Sequence, residues 1–85
     1  MFYTYILKSD KYDDLYIGST KDLKKRILEH NKGLVKSTKH KNPYVLIYYE
    51  AYKSESDARR RESMLKLRGQ ARRQLLSRLK DTLKN

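Results

Sequence analysis

The segment Phe2–Leu7, with the sequence FYTYIL, limits the possible folds of this chain more than any other stretch. Both of its alternating sets of positions are apolar, aromatic or β-branched, which indicates a strand that is buried on two faces. Such a strand needs other elements packed above and below its sheet. A chain of 85 residues buries only about 60% of its unfolded surface, so the core that covers this strand must be thin.

A hairpin and a helix are predicted to follow. The polar residues 10–14 form a turn, and Leu15–Gly18 forms a short second strand. Either Ser19 or Thr20 is expected to cap the first helix, with an aspartate in its first turn, and Gly33 is expected to end it in the left-handed conformation. The inward face of this helix is marked by Leu23 and Ile27.

The second half of the chain predicts one more strand and two helices. A basic loop over 36–41 leads to a third strand, Tyr44–Tyr52. Ser54 and Asp57 form an S-x-x-D capping box that opens a second helix, which runs to about Leu67. Gly69 interrupts this helix, and a third helix follows. The apolar side of the third helix comprises Ala71, Leu75, Leu76, Leu79 and Leu83.

The element order ββαβαα predicts a compact single α/β domain over residues 1–85, with a three-stranded sheet flanked by about three helices. No internal repeat or low-complexity linker divides the chain. No apolar run approaches the roughly 20 residues that a membrane span needs, and the N-terminus lacks a signal-peptide pattern. We therefore expect a soluble cytoplasmic protein with no membrane partner.

The charge favours a polyanionic partner. The chain has 21 Lys and Arg against 10 Asp and Glu, a net charge of +11, and eight tyrosines. Lys and Arg neutralise phosphates and tyrosine rings stack on bases, so this composition is typical of a nucleic-acid-binding protein. The alternative is a basic protein that associates with ribosomes or is merely kept soluble by its charge. The absence of cysteine excludes disulfides, thiolate zinc sites and thiol nucleophiles.

Two residue pairs are candidates for chemistry. Tyr5 and Tyr16 lie on adjacent predicted strands and are able to share one face. On this pattern alone, an ordinary cross-strand aromatic pair is the better explanation. Arg26 and His30 are four residues apart and project from one side of the first helix. An arginine presents a planar fork of donors to a phosphate, and a nearby histidine transfers protons. The alternative is a solvated helix face in a lysine-rich segment.

Glu62 falls between Ala58 and Leu65 on the side of the second helix that is expected to face inward. A carboxylate is rarely buried without a partner or a metal. A salt bridge to Arg59 or Lys66 is the alternative. Because no second acidic residue accompanies Glu62 at a suitable spacing, a metal here would be a single, largely hydrated ion, as magnesium prefers.

Other catalytic motifs are missing from the sequence. The three glycines are isolated at positions 18, 33 and 69, which excludes a nucleophile elbow, a phosphate-binding loop and a dinucleotide-binding loop. The second histidine, His40, lies in the basic loop without a metal-ligand spacing, and we interpret it as a loop residue that is available for phosphate contact.

Taken in chain order, these segments resemble the GIY-YIG nuclease superfamily. Tyr3–Tyr5 stands at the first half-motif, and Tyr16–Gly18 matches YIG of the second half. The blocks that resemble the remaining motifs are Tyr16–His30, Pro43–Glu50 and Ala58–Lys66. The resemblance covers about residues 3–76. It is greatest to small standalone bacterial members related to the N-terminal domain of the excision-repair nuclease.

The resemblance implies a metal-dependent phosphodiesterase that acts on DNA, in repair or processing. It makes Tyr16 the general base that activates water and gives Tyr5 a supporting role. Glu62 would hold a single Mg²⁺ or Mn²⁺, Arg26 would clamp the phosphate, and His30 would assist proton transfer or position the base. Such parts suit the reaction, because an arginine and a metal stabilise the charge that develops on the phosphate.

This chain departs from the family pattern at three positions. Tyr3 replaces the glycine of the first half-motif, Gln74 stands where other branches have asparagine, and Arg73 stands where small members often have lysine. The residues expected to contact nucleic acid are Lys21, Lys25, Lys41, Lys66 and Arg73. For Lys66 and Arg73, a solvated helix face explains the charge equally well.

The sequence shows no separate recognition domain, so specificity is expected from DNA shape, single-strandedness or a protein partner. Two alternatives stay open, a non-catalytic nucleic-acid-binding module and a nuclease directed at RNA.

Overall fold

Three strands and three helices follow one another in the predicted order in a computed structural model that describes residues 1–67 and 69–84. The elements are β1 (Phe2–Ser9), β2 (Leu15–Thr20), α1 (Leu23–Asn31), β3 (Tyr44–Tyr52), α2 (Glu55–Leu67), α3 (Gly69–Arg78) and a short 3₁₀ turn (Thr82–Lys84). This architecture confirms the predicted α/β class and the order ββαβαα. No described helix has both the length and the apolar character that crossing a membrane requires.

β1 is the central strand of an antiparallel sheet with the order β2-β1-β3. On one face, Tyr5 and Leu7 are buried with Tyr44 beneath α1, and we call this the α1 face. On the other face, which we call the α2 face, Ile6 packs with Ile17 and with residues of α2 and α3. The prediction that both sides of the first strand are covered is therefore confirmed.

A bulge interrupts the pairing of β1 with β3. Ile6 pairs with Tyr48 and Leu7 pairs with Leu46, which leaves Ile47 without a partner on β1. The extra residue breaks the alternation of side chains along β3. As a result, Leu46 and Tyr49 lie on the same face of the sheet although they are three residues apart.

A polar cluster fixes α2 against β3. The carboxylate of Glu50 accepts hydrogen bonds from the hydroxyls of Tyr48, at 2.6 Å, and Tyr52. Arg61 of α2 donates to the same carboxylate from Nε, at 3.0 Å, and from Nη2, at 3.1 Å. Burial alone would raise the pKa of Glu50, but these donors outweigh it and lower the pKa. Because Arg61 is held over β3, the next residue, Glu62, is directed toward β2.

The start of α1 differs from the prediction. Ser19 and Thr20 do not cap the helix, because β2 continues through both of them to Thr20. Asp22 is the N-cap instead, and its carboxylate accepts a hydrogen bond from the backbone N–H of Lys25 at 3.1 Å. The predicted stop is confirmed, since Gly33 follows the helix with a φ of 76°.

The ends of the other two helices also refine the prediction. α2 begins directly after Ser54, as expected, but Asp57 does not close a capping box and its carboxylate accepts from Arg60 at 2.9 Å. The third helix ends at Arg78 rather than continuing to Leu83, which lies in the 3₁₀ turn. The winding tightens at Leu79, whose N–H bonds to the carbonyl three residues before it.

Candidate active site

The two candidate tyrosines share the α1 face, as predicted. Tyr5 lies opposite Gly18 and Tyr16 lies opposite Leu7, which makes the tyrosines diagonal neighbours with ring centroids 6.2 Å apart. A side chain does not fit at position 18, because a Cβ atom there would stand 2.6 Å from the Tyr5 hydroxyl oxygen. The glycine of the YIG tripeptide therefore makes room for the phenol of the first half-motif.

His30 joins this pair from α1. Its side chain is fully buried, with Nε2 2.9 Å from the Tyr5 hydroxyl and the ring centroid 4.7 Å from that of Tyr16. The other ring nitrogen, Nδ1, lies 2.8 Å from Oγ1 of Thr38, which is also fully buried. The site thus contains a continuous hydrogen-bonded chain from Tyr5 through His30 to Thr38.

The protonation states of this chain follow from its burial. Burial, reinforced by the positive charge of Arg26, lowers the pKa of His30 to about 4, so the imidazole is neutral at pH 7. A neutral imidazole donates from one nitrogen and accepts at the other. Burial also raises the pKa of Tyr5 to about 12, although Arg26 acts in the opposite direction, so Tyr5 keeps its proton.

Thr38 was not identified by sequence reasoning, although it holds the catalytic candidate His30. Its hydroxyl both donates and accepts, so it satisfies Nδ1 in either tautomer of the imidazole. Thr38 lies in the basic loop between α1 and β3, where the sequence shows no periodic apolar pattern. No signal in the sequence separates it from the polar residues around it.

Arg26 stands at the solvent side of the tyrosine pair. Its Nη1 donates to Oε1 of Glu29 at 3.1 Å, and its side chain is 38% exposed. Together with Lys21 and Lys25 it lines an open cleft of about 300 Å³, which also reaches Ser19 of β2. We call this feature the Arg26 cleft. Two carboxylates also line it, but Asp22 caps α1 and Glu29 pairs with Arg26. The remaining positive charge suits a phosphate-bearing ligand.

Glu62 reaches the same region from the α2 face, around the edge strand β2. Its Oε1 accepts a hydrogen bond from the Ser19 hydroxyl at 2.6 Å, and its Oε2 lies 2.7 Å from Nζ of Lys66. The Lys66 ammonium also lies 5.8 Å from the ring centroid of Tyr16. The salt bridge that the sequence offered as an alternative for Glu62 is therefore present, with Lys66 rather than Arg59 as the partner.

The residues around Glu62 offer few ligands to a divalent ion. Among residues 1–67 and 69–84, no group of three or more His, Cys, Asp or Glu side chains is arranged to hold a metal. Glu62 supplies one carboxylate, and the adjacent Ser19 hydroxyl orients it. Mg²⁺ is commonly bound by one or two carboxylates with water and substrate phosphate, so this donor set fits a hydrated ion.

The remaining predicted contacts lie apart from this centre. Lys41 stands at the far end of β1, where its Nζ is 3.5 Å from the carboxylate of Asp14. Arg73 is exposed near the start of α3, with its guanidinium folded over Gly69. The structure therefore brings Tyr5, Tyr16, Arg26, His30 and Glu62 together, and it places Lys21, Lys25 and Lys66 beside them.

Ser19 is the second residue whose role was not predicted. The sequence suggested it as a helix cap, but its side chain lies on the α2 face of β2 and donates a hydrogen bond to Glu62. Its position directly after Gly18 is a usable signal, because alternation along β2 directs residue 19 away from Tyr16 and toward α2.

Comparison with known proteins agrees with this geometry. The family model described as the GIY-YIG catalytic domain matches residues 1–75. The chain is 43% identical to UPF0213 protein SSP2268 of Staphylococcus saprophyticus, over 75% of this chain and 78% of that protein. It is 42% identical to UPF0213 protein CPE1444 of Clostridium perfringens, over 78% of this chain and 71% of that protein.

A solved structure is also similar. The solution NMR structure of UPF0213 protein BH0048 from Bacillus halodurans is 34% identical, with a TM-score of 0.55. The match covers 91% of this chain and 84% of that chain.

Proposed function

The chain belongs to the family of GIY-YIG catalytic domains, and from this membership we propose that it is a divalent-metal-dependent nuclease that hydrolyses phosphodiester bonds in DNA, in repair or processing. The observation that carries the proposal is the convergence of the Tyr5–His30 pair, Tyr16 and Arg26 on the α1 face with Glu62 at the edge of β2. The names of the related UPF0213 proteins state no activity.

The two tyrosines take different roles in this proposal. Tyr5 keeps its proton, because its pKa is about 12, and it serves as a hydrogen-bonding partner of His30. Tyr16 is then the tyrosine available as general base. In its phenolate form Tyr16 accepts a proton from water while the water oxygen bonds to phosphorus. The bond from phosphorus to the 3′-oxygen breaks, and the leaving oxygen takes a proton from solvent.

Arg26 and Glu62 are assigned to stabilising the negative charge on the phosphate and the leaving oxygen. The Arg26 guanidinium, oriented by Glu29, faces the cleft and binds the oxygens of the phosphate. Glu62 would hold a hydrated Mg²⁺ or Mn²⁺, which neutralises the phosphate and the leaving oxygen. His30, neutral and tied to Thr38, positions Tyr5 beside the reacting groups.

The proposal is tested by cleavage of a labelled panel of single-stranded, duplex, flap and branched DNA and of RNA, with Mg²⁺ or Mn²⁺. We expect metal-dependent cutting of DNA that is lost in Tyr16→Phe and in Glu62→Gln. Tyr12→Phe and Glu55→Gln are matched controls, because Tyr12 is exposed in the β1–β2 turn and Glu55 is exposed at the start of α2. Both controls should cut like the wild type.

The same panel separates the alternatives. Full activity of Glu62→Gln would overturn the assignment of the metal ligand. Tight binding of DNA without cutting in either metal would favour the non-catalytic binding module, and cutting of RNA alone would favour the RNA-directed nuclease.

Binding gives an independent check on the electrostatics. Glu62→Gln should bind DNA as tightly as the wild type or slightly more tightly, because a carboxylate that repels phosphate is removed. Affinity should fall steeply with added salt, since the chain carries a net charge of +11. A flat salt response would argue against a phosphate-dominated interface.

A further inference from the structure

A second concavity adjoins the Arg26 cleft on the α1 face. It is an open pocket of about 680 Å³ between the start of α1 and the end of β3, with Leu23, Ile27 and Leu46 among its apolar lining residues. Two tyrosines, Tyr3 and Tyr49, also line it, and we call this feature the tyrosine pocket. Its size is in the range of small-molecule sites.

The two tyrosine rings form a corner. Their centroids are 5.8 Å apart and their planes are inclined at 68°, so one ring presents its edge to the other. Tyr49 is 51% exposed, so its ring is accessible to a ligand in the pocket. A flat aromatic ligand that stacks on one ring would meet the edge of the other.

The rim of the pocket is positively charged. Lys21 and Lys24 line it, and neither forms an ion pair with any residue in the described ranges 1–67 and 69–84. Asp22 is the acidic residue on the rim, and its carboxylate is occupied in capping α1. The pocket therefore suits a ligand that is flat and apolar in one part and anionic in another.

The position of the pocket connects it to the reaction. Lys21 and Asp22 line both the tyrosine pocket and the Arg26 cleft, so the two concavities are contiguous. Tyr3 and Tyr5 are two residues apart on the α1 face, and Tyr49 lies opposite Tyr5 across the sheet. Because the two concavities share Lys21 and Asp22, a strand bound by its phosphate in the Arg26 cleft would bring an adjacent nucleotide to the tyrosine pocket.

We infer that the tyrosine pocket binds an unpaired base next to the scissile phosphate, so that the substrate is DNA with a single-stranded segment at the cut. Bases inside a duplex are covered by their stacked neighbours, whereas an unpaired base offers a free face to an aromatic ring. The inference rests on the proposed nuclease function and specifies the substrate class of the same site.

The test measures binding without cleavage, in EDTA, by fluorescence anisotropy of a labelled single-stranded oligonucleotide. An abasic oligonucleotide of the same length carries the same charge and no bases, so it isolates the contribution of stacking. We expect Tyr49→Ala to weaken binding of the normal strand by about 5-fold to 100-fold and to leave binding of the abasic strand unchanged. Tyr49→Phe keeps the ring and should bind like the wild type.

Tyr12→Ala is the matched control, because Tyr12 is 54% exposed in the β1–β2 turn and does not line the pocket. If Tyr49→Ala fails to fold, Tyr49→Trp gives a second measurement, since the chain contains no other tryptophan. The normal strand should quench its fluorescence and the abasic strand should not. Equal affinity of Tyr49→Ala and wild type for the normal strand, or equal quenching by both strands, would overturn the inference.

These outcomes are separate from those of the nuclease assay. A base-dependent loss in Tyr49→Ala without any cleavage by the wild type would retain the binding site and reject the nuclease. Cleavage by the wild type together with undiminished binding by Tyr49→Ala would retain the nuclease and reject the base-binding site. Preference for RNA over DNA of the same sequence would reassign the occupant to an unpaired ribonucleotide and overturn the assignment to DNA.

Discussion

Acidification should destabilise this protein through His30 before its carboxylates are protonated. The unfolded imidazole has a pKa of 6.5 and the folded one has a pKa of about 4, because burial and Arg26 disfavour the charged form. Between these values the unfolded chain binds a proton that the folded protein does not. The contribution of His30 to stability is therefore complete above pH 6.5 and is lost as the pH falls toward 4.

The magnitude follows from the size of this shift. One bound proton gives a slope of about 1.4 kcal/mol per pH unit, so the free energy of unfolding should fall by about 2–3 kcal/mol between pH 6.5 and pH 4.5. A protein of this size unfolds with an entropy that turns each kcal/mol into about 4–8 °C of Tm. The lowered pKa of Glu50 acts in the same direction, but mainly below its unfolded value of 4.5.

The dependence of the free energy of unfolding on pH is measured by urea unfolding at several pH values between 6.5 and 4.5. Far-ultraviolet circular dichroism follows the transition. His30→Gln should remove most of this dependence. His40→Gln is the matched control and should keep it, because His40 is exposed in the basic loop. Baseline stabilities differ among the variants, so the comparison concerns the slopes alone.

An NMR titration of the wild type measures the same property without a substitution. One of the two histidines should titrate near pH 4 and belong to His30. The reasoning is refuted if His30 titrates at its unfolded value of 6.5, or if wild type and His30→Gln lose stability with equal slopes.

Three further substitutions test the packing and polar contacts of the site. Gly18→Ala should lower the free energy of unfolding in urea by about 1–3 kcal/mol and reduce cleavage, because the added methyl displaces the Tyr5 hydroxyl. Wild-type stability and cleavage in this variant would contradict the close contact of Gly18 with Tyr5. Thr38→Val should cost about 1–3 kcal/mol in the same assay, since it leaves a buried imidazole nitrogen without a partner, whereas Thr38→Ser should not. Ser19→Ala should weaken Mn²⁺ binding by about 10-fold, measured by calorimetry, because Glu62 loses the hydroxyl that orients it; unchanged affinity would remove Ser19 from the metal site.

Local patterns in the sequence were sufficient to predict most of the framework. The two apolar sets of Phe2–Leu7 predicted a central strand, and β1 does lie between the other strands with both faces covered. Gly33 ended α1 as expected, because a single backbone dihedral decides that position. The pairing of Tyr5 with Tyr16 followed from hairpin alternation, which depends on near neighbours along the chain.

The parts that were not predicted depend on contacts between distant segments. The hydrogen bond between Ser19 and Glu62 joins residues 43 positions apart. Alternation along β2 indicates the face on which Ser19 lies, but it does not identify Glu62 as the partner. Thr38 is fully buried although it lies in a polar loop, and its partner is His30 of another element, α1. The N-cap moved to Asp22 because pairing with β1 extended β2 by two residues, a tertiary effect that outweighs capping preference.

The bulge in β3 has a consequence for insertions and deletions. Side chains alternate along a strand, so loss of one residue usually turns every following side chain to the opposite face. Ile47 is the exception in β3, because it has no partner on β1 and its removal would leave the pairs on both sides in phase. Tyr49 and Glu50 would keep their present faces, so the tyrosine pocket would keep Tyr49. The chain would lose only the apolar contact that Ile47 makes on the α2 face. A homologue one residue shorter at this point is therefore compatible with the same site.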